Sequence, residues 1–415
     1  MGRRNSLLFL SIFRTYESNC DLKFLILYVS EIKPKIGYTY NNIIKAMEKC
    51  LVLIFATFVI FLNGCNSNSQ RSEDVNIKAF NIDYNWGPGG AHDFAKPGLW
   101  ADANPDTLMK WYEDLGCNVV HSFGVSCNGY AWYKNGIVPE QPGLKYDFLT
   151  EMVKIGRKKN MKVFGYYCVG ANNRWEEDHP NLCYQMDGQQ IPFTTQYVDY
   201  LSASIEDAIM KTDMDGIMLD WFYNPGGGRD PLPPLRWIPC EQEMYQELMS
   251  QSFPGKDKIT PEIELDFRRK AIDRAWKQIR EVTKKTKKDC IVWLTAYDVN
   301  SKEYAGSAML KEVDWLMNEA GDIASTAAMR GLVGKRTRLI TCLANWNKQN
   351  PTEVVPAAIK EKVGLYGFTK PVIGPMMQPV KYYLSHSVDS LKGDERNIAV
   401  LARVYNNFAL DYIKK

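Results

Sequence analysis

The run Asp215-Gly216-Ile217-Met218-Leu219-Asp220-Trp221-Phe222-Tyr223-Asn224 carries an apolar stretch into a carboxylate that is followed at once by aromatic side chains. Its length and composition predict a buried strand over Gly216 to Phe222. Strand side chains alternate faces, so Gly216, Met218 and Asp220 share one side and Ile217 and Leu219 the other. That parity turns Asp220 inward at the strand's exit. Asp215 lies roughly 16 Å back along a strand rising about 3.3 Å per residue, too far to work with Asp220, and reads as a turn residue.

Outward from this strand, strand-like and helix-like segments alternate, which argues for parallel strands with helical crossovers. The predicted strands are Ile77 to Tyr84, Asn118 to Gly124, Lys162 to Cys168, Gly216 to Phe222, Cys290 to Tyr297, Val313 to Asn318, Arg338 to Ala344 and Gly364 to Phe368. Eight such units predict an α/β fold, a (β/α)8 TIM barrel with long βα-loop insertions, over residues 76–415. Helix starts at Asn104-Pro105, Thr260-Pro261 and Asn350-Pro351-Thr352-Glu353 place a capping side chain before a first-turn proline. Returns from helix to strand are short, as at Leu115-Gly116-Cys117. The outgoing connections Trp86 to Asn104, Val125 to Tyr146, Val169 to Gln196 and Asn224 to Thr260 are long, and they crowd the face on which barrels assemble their sites. The charged segment Pro261 to Lys288, with Arg268, Arg269, Lys270 and Lys284, reads as a solvated helix face.

Among its 415 residues, 45% are hydrophobic and 24% charged, a globular composition that excludes disorder. The net charge of +3 is spread along the chain, with no basic patch to engage nucleic acid. Near the start, Met47-Glu48-Lys49 precedes the apolar run Cys50 to Leu62 and then Asn63-Gly64-Cys65. This resembles a bacterial lipoprotein signal peptide over residues 47–64, with Leu62-Asn63-Gly64-Cys65 as lipobox and Cys65 as the lipidated residue. Residues 65–75 then form a polar tether, and residues 1–46 read as an extension upstream of a true start at Met47. The implied location is exported and lipid-anchored to a bacterial membrane, at the periplasmic face or the cell surface. The cysteines after Cys65 show no CxxC spacing and no zinc motif; pairing among Cys127, Cys183 and Cys240 stays open.

Strand ends supply several carboxylates: Asp83, Asp220, Asp298, Glu319 and Asp322. Glycoside cleavage needs two carboxyl groups across the scissile bond, one protonated and one ionised. Asp220 is the first candidate, Glu319 the chosen acid/base and Asp298 its rival. Asn81, Asp83 and Asn85 share a face, where they bind sugar hydroxyls or satisfy one another. Trp86, Tyr167, Trp175, Trp221, Tyr297 and Trp346 gather near strand ends, as aromatic platforms for a pyranose ring require. His121 lies within the second strand and reaches the site or is a core histidine. No spacing suggests a metal or an organic cofactor, and no G-x-S-x-G elbow is present.

Asp215-Gly216-Ile217-Met218-Leu219-Asp220-Trp221 is similar to the fourth-strand motifs of alpha-amylase-like, alpha-galactosidase-like and alpha-fucosidase-like glycoside hydrolases. The first two groups usually carry a basic residue where this chain has Met218, and the third a histidine pair where only His121 is available. The chain therefore resembles most the poorly characterised glycosidase-like barrels of bacterial lipoproteins. That resemblance implies a glycoside hydrolase acting on an oligo- or polysaccharide, with Asp220 as a retaining nucleophile. The alternative is a carbohydrate-binding surface lipoprotein without catalysis.

Overall fold

A computed structural model describes residues 77–89, 93–184, 191–222, 236–297, 299–406. The proposed signal peptide, Cys65 and the upstream extension lie outside these residues, as does Asp298.

Eight parallel strands close in sequence order into a barrel: β1 (Lys78–Ile82), β2 (Val119–Val125), β3 (Lys162–Cys168), β4 (Gly216–Asp220), β5 (Ile291–Ala296), β6 (Trp315–Asn318), β7 (Arg338–Leu343) and β8 (Gly364–Thr369). The (β/α)8 fold is thus the observed one, and each predicted strand coincides with one observed. Helices Pro105–Leu115, Phe148–Lys158, Thr195–Thr212, Pro261–Thr286, Pro351–Lys360 and Gly393–Tyr405 supply most of the outer layer. The predicted caps form: Asn104 accepts from Thr107 N–H, Thr260 from Ile263 N–H and Asn350 from Thr352 N–H.

Period-two alternation decides what fills the barrel. Inward positions carry Phe164 of β3, Trp293 of β5 and Trp315 of β6, with Phe164 tilted against Trp315 at 4.9 Å and edge-on to Trp293 at 5.3 Å between ring centroids. Gly216 opens β4 because a Cβ there would meet the Phe164 ring at 2.3 Å. Above this aromatic layer sit His121, Tyr166 and Tyr366, and above them the polar strand ends. Asp215 is at the opposite end, where it accepts from Val163 N–H at 2.8 Å.

One expectation for the outer layer is corrected. Arg268 on the long helix is not solvated but buried, paired with Glu264 at 2.7 Å and Glu303 at 2.8 Å. Glu264 also pairs with buried Arg236, which binds Glu241 at 2.6 Å. Glu241, wholly buried on helix Pro239–Met249, accepts in addition from Trp237 N–H. The network fastens the fourth insertion to the barrel's outer helix. Removing one partner leaves a buried charge short of compensation, so Glu241→Ala is expected to cost about 3 kcal/mol in urea unfolding.

Candidate functional site at the C-terminal mouth of the barrel

Asp220 ends β4 half-buried, and backbone and side chains both restrain it. Val169 N–H donates to its carbonyl at 2.8 Å, extending the β3–β4 ladder to its end. The chain then turns sharply: Trp221 adopts φ 53°, the left-handed region that costs a bulky residue free energy and is concentrated at functional sites. Gly170 makes the turn possible, since a Cβ there would meet the Trp221 carbonyl oxygen at 2.8 Å. The turn aims Trp221 N–H at Asp220 Oδ1, 2.8 Å away, while the Tyr166 hydroxyl donates to Oδ2 at 2.7 Å.

Asp83 follows β1 and is 4% exposed, with Oδ1 accepting Asn85 N–H at 2.6 Å. Burial pushes its carboxyl up to about 7; the Asn85 N–H opposes that, and the Asp220 charge adds to it. The Asn81 amide lies wholly buried beside Asp83 and Tyr366. Asn85 is largely consumed by structure: its Oδ1 accepts from Cys127 N–H at 3.0 Å and ties the loop after β2 to β1.

His121 is a buried barrel histidine. Its Nδ1 pairs with the Tyr366 hydroxyl at 2.8 Å, its ring stacks on Tyr166, and its Nε2 has no partner. Burial pulls its pKa down to about 3, so it is neutral at physiological pH.

Glu319 follows β6, half-buried. Its Oε1 accepts from the Thr295 hydroxyl of β5 at 2.8 Å, and Asn347 holds its carbonyl at 3.0 Å. Its charge bears on Tyr366 together with that of Asp83, and on the Cys342 thiol together with that of Asp220. Carboxyls from β1, β4 and β6 therefore surround one inner layer. Among the described residues no group of three His, Cys, Asp or Glu side chains is arranged to hold a metal ion.

The aromatic expectations divide. Trp86 stacks on Phe94 at 5.3 Å, and Phe94 meets Trp221 at 5.9 Å, giving an aromatic wall from β1 to β4 beside Asp220. Tyr297 after β5 is 64% exposed and Trp346 after β7 is 41% exposed, the latter edge-on to Phe368 at 4.3 Å. Tyr167 is a correction: it points outward, its hydroxyl donating to Ser204 O on the surrounding helix. Tyr166 takes the inward position. Trp175 is a second correction, because it is buried within the third insertion, stacked on His179 at 3.7 Å and packed on Tyr197 and Tyr200. The described cysteines, including Cys127, Cys183 and Cys240, are unpaired and buried. Sequence reasoning missed Tyr166, Phe94 and Thr295; the register of Tyr166 opposite Met218, whose parity was evident, is the signal that places Tyr166 inside.

A family model described as Hypothetical glycosyl hydrolase 6 matches residues 104–221, a stretch that closes on the Asp220-Trp221 turn. The fold is a (β/α)8 barrel, and over residues 104–221 the chain is similar to that glycosyl hydrolase family. Among solved structures, alpha-L-fucosidase isoenzyme 2 from Paenibacillus thiaminolyticus is similar with a TM-score of 0.55 at 14% identity, over 80% of this chain and 49% of that one. Beta-galactosidase from Bacillus circulans sp. alkalophilus is similar with a TM-score of 0.50 at 13% identity, over 81% of this chain and 57% of that one. The chain thus spans about half the length of these two proteins, and the likeness is one of fold. No curated protein matches the chain in sequence.

The Asp83 environment has a measurable consequence. Its carboxyl ionises near pH 7 when folded and near 3.8 when unfolded, so the folded chain holds the extra proton between these values. Stability attributable to Asp83 is therefore present at low pH and lost as pH rises through that window, by up to about 4 kcal/mol at roughly 1.4 kcal/mol per unit. Asp83→Asn is expected to flatten this loss; urea midpoints of both proteins at pH 4.5 and pH 7.5 measure it.

Proposed function

We propose that the protein is a glycosidase that cleaves an oligo- or polysaccharide by a retaining mechanism. The observation that carries this reading is Asp220, held at the barrel mouth with a donor on each carboxylate oxygen. Asp220 attacks the anomeric carbon as the glycosidic C–O bond breaks, and Glu319 protonates the departing oxygen. Glu319 then takes a proton from water, which displaces Asp220 from the glycosyl ester and restores both groups. The wall of Trp86, Phe94 and Trp221 offers apolar surface to the sugar ring, while Asp83 offers a polar partner to its hydroxyls. The Thr295 hydroxyl orients Glu319. Asp298, outside the described residues, is the other candidate for the acid/base.

A panel of aryl glycosides and purified oligosaccharides tests the assignment. Asp220→Asn should lower kcat by at least about a thousandfold while leaving the Kd for the same sugar within a few-fold. Glu319→Gln should slow hydrolysis most on substrates with poor leaving groups. Sugar binding without turnover in the unsubstituted protein would mark a binding module instead.

We propose further that the chain is exported and anchored through a lipid on Cys65, from the charged flank, apolar run and lipobox-like Leu62 to Cys65. Labelled palmitate should be incorporated by bacteria expressing the full chain, and Cys65→Ala should abolish incorporation and release the protein from the membrane fraction.

A further inference from the structure

We propose that Tyr166 is the positioning residue for Asp220, its buried hydroxyl fixing the orientation of the carboxylate through Oδ2. This rests on the reading of Asp220 as the nucleophile and adds to it the residue that holds that nucleophile in place.

Tyr166 stands opposite Met218 in the β3–β4 register, one inward position below the Cys168–Asp220 pair, so its ring rises along the barrel wall and presents its hydroxyl to the carboxylate from beneath. The 2.7 Å contact has the length of a charge-assisted O–H···O⁻ bond. The ring itself is clamped: His121 stacks on it at 5.1 Å and 17°, and Phe123 packs across it at 5.8 Å and 60°. Cys127 Sγ lies 3.8 Å from the same hydroxyl, but sulfur is a weak acceptor and the carboxylate a strong one, so the single phenolic proton belongs to Asp220. Trp221 N–H holds Oδ1 from the other side. A donor on each oxygen defines the carboxylate plane, and the Tyr166 hydroxyl is the one that fixes Oδ2.

Among the described residues, the groups that face this pair include Asp83 after β1, His121 on β2, Cys127 after β2, Cys168 at the end of β3 and Cys342 on β7. His121 is neutral, so its ring adds no positive charge beside the carboxylate. Burial, reinforced by the Asp220 charge, pushes the Tyr166 hydroxyl well above its ordinary range and so keeps it a protonated donor.

The test is a pH titration of carboxyl carbons by 13C NMR on the full chain, with the Asp220 resonance assigned through Asp220→Asn. Tyr166→Phe removes one oxygen and keeps the ring. The expected result is a rise of about one unit in the Asp220 midpoint, a tenfold change in its protonation constant; an unchanged midpoint in a folded variant overturns the proposal. A second measurement uses the unsubstituted protein: the Tyr166 Cζ resonance should titrate with the Asp220 midpoint, and its failure to respond also overturns the proposal. Neither readout needs turnover. If Tyr166 controls the Asp220 titration while Asp220→Asn leaves hydrolysis intact, the nucleophile assignment falls and the tether stands.

Discussion

The hydrogen bond from Val169 N–H to the Asp220 carbonyl is the last rung of the β3–β4 ladder, and the geometry of the mouth depends on it. In a closed ring the pleat leaves only two choices for each side chain, inside or outside, and pairing with both neighbours fixes which. Asp220 is carried to the inner face by that constraint. One residue later the ladder ends, and Trp221 can leave extended geometry only because Gly170 lets its carbonyl approach. The strained turn converts a backbone N–H that would have continued the sheet into a donor for the carboxylate.

The same constraint explains why two neighbouring aspartates behave differently. Asp83 and Asp220 both face the interior and repel each other when both are charged. Asp220 is half-buried and receives a donor on each oxygen. Asp83 is almost wholly buried with one close N–H, and there desolvation dominates, favouring its neutral form. A buried pair relieved by protonating one member is the ordinary outcome when like charges share a small volume. Here the deeper burial of Asp83 favours the proton there.

Strand positions were legible because each strand is an apolar run bounded by capping residues and short returns, and the parity of Gly216, Met218 and Asp220 follows from one polar residue at the end of such a run. The third strand shows where legibility stops. In Lys162-Val163-Phe164-Gly165-Tyr166-Tyr167-Cys168 both faces are apolar, since a barrel strand packs on side chains within and helices without. Nothing local separates Tyr166 from Tyr167; only the pairing of Tyr166 with Met218 does. Trp175 failed for a related reason. A tryptophan in an insertion is as useful for packing that insertion as for meeting a ligand, and here helix Thr195–Thr212 supplies Tyr197 and Tyr200 against it. Arg268 was read by its charge alone, whereas partners distant in sequence, such as Glu303, decide whether a charge faces solvent.

What remains at the mouth is an uncommon combination. The floor is polar: Asn81 and His121 lie buried beneath the carboxyls of Asp83, Asp220 and Glu319. The rim holds partly exposed aromatic surface at Trp86, Trp221 and Trp346. An apolar ligand would suit the rim but set hydrocarbon against the carboxyls, and a small anion would be repelled by carboxyls that follow three strands. A ring with an apolar face and hydroxyls along its edge satisfies both surfaces at once. That match of ligand chemistry to floor and rim supports the proposed carbohydrate ligand on grounds independent of any likeness in fold.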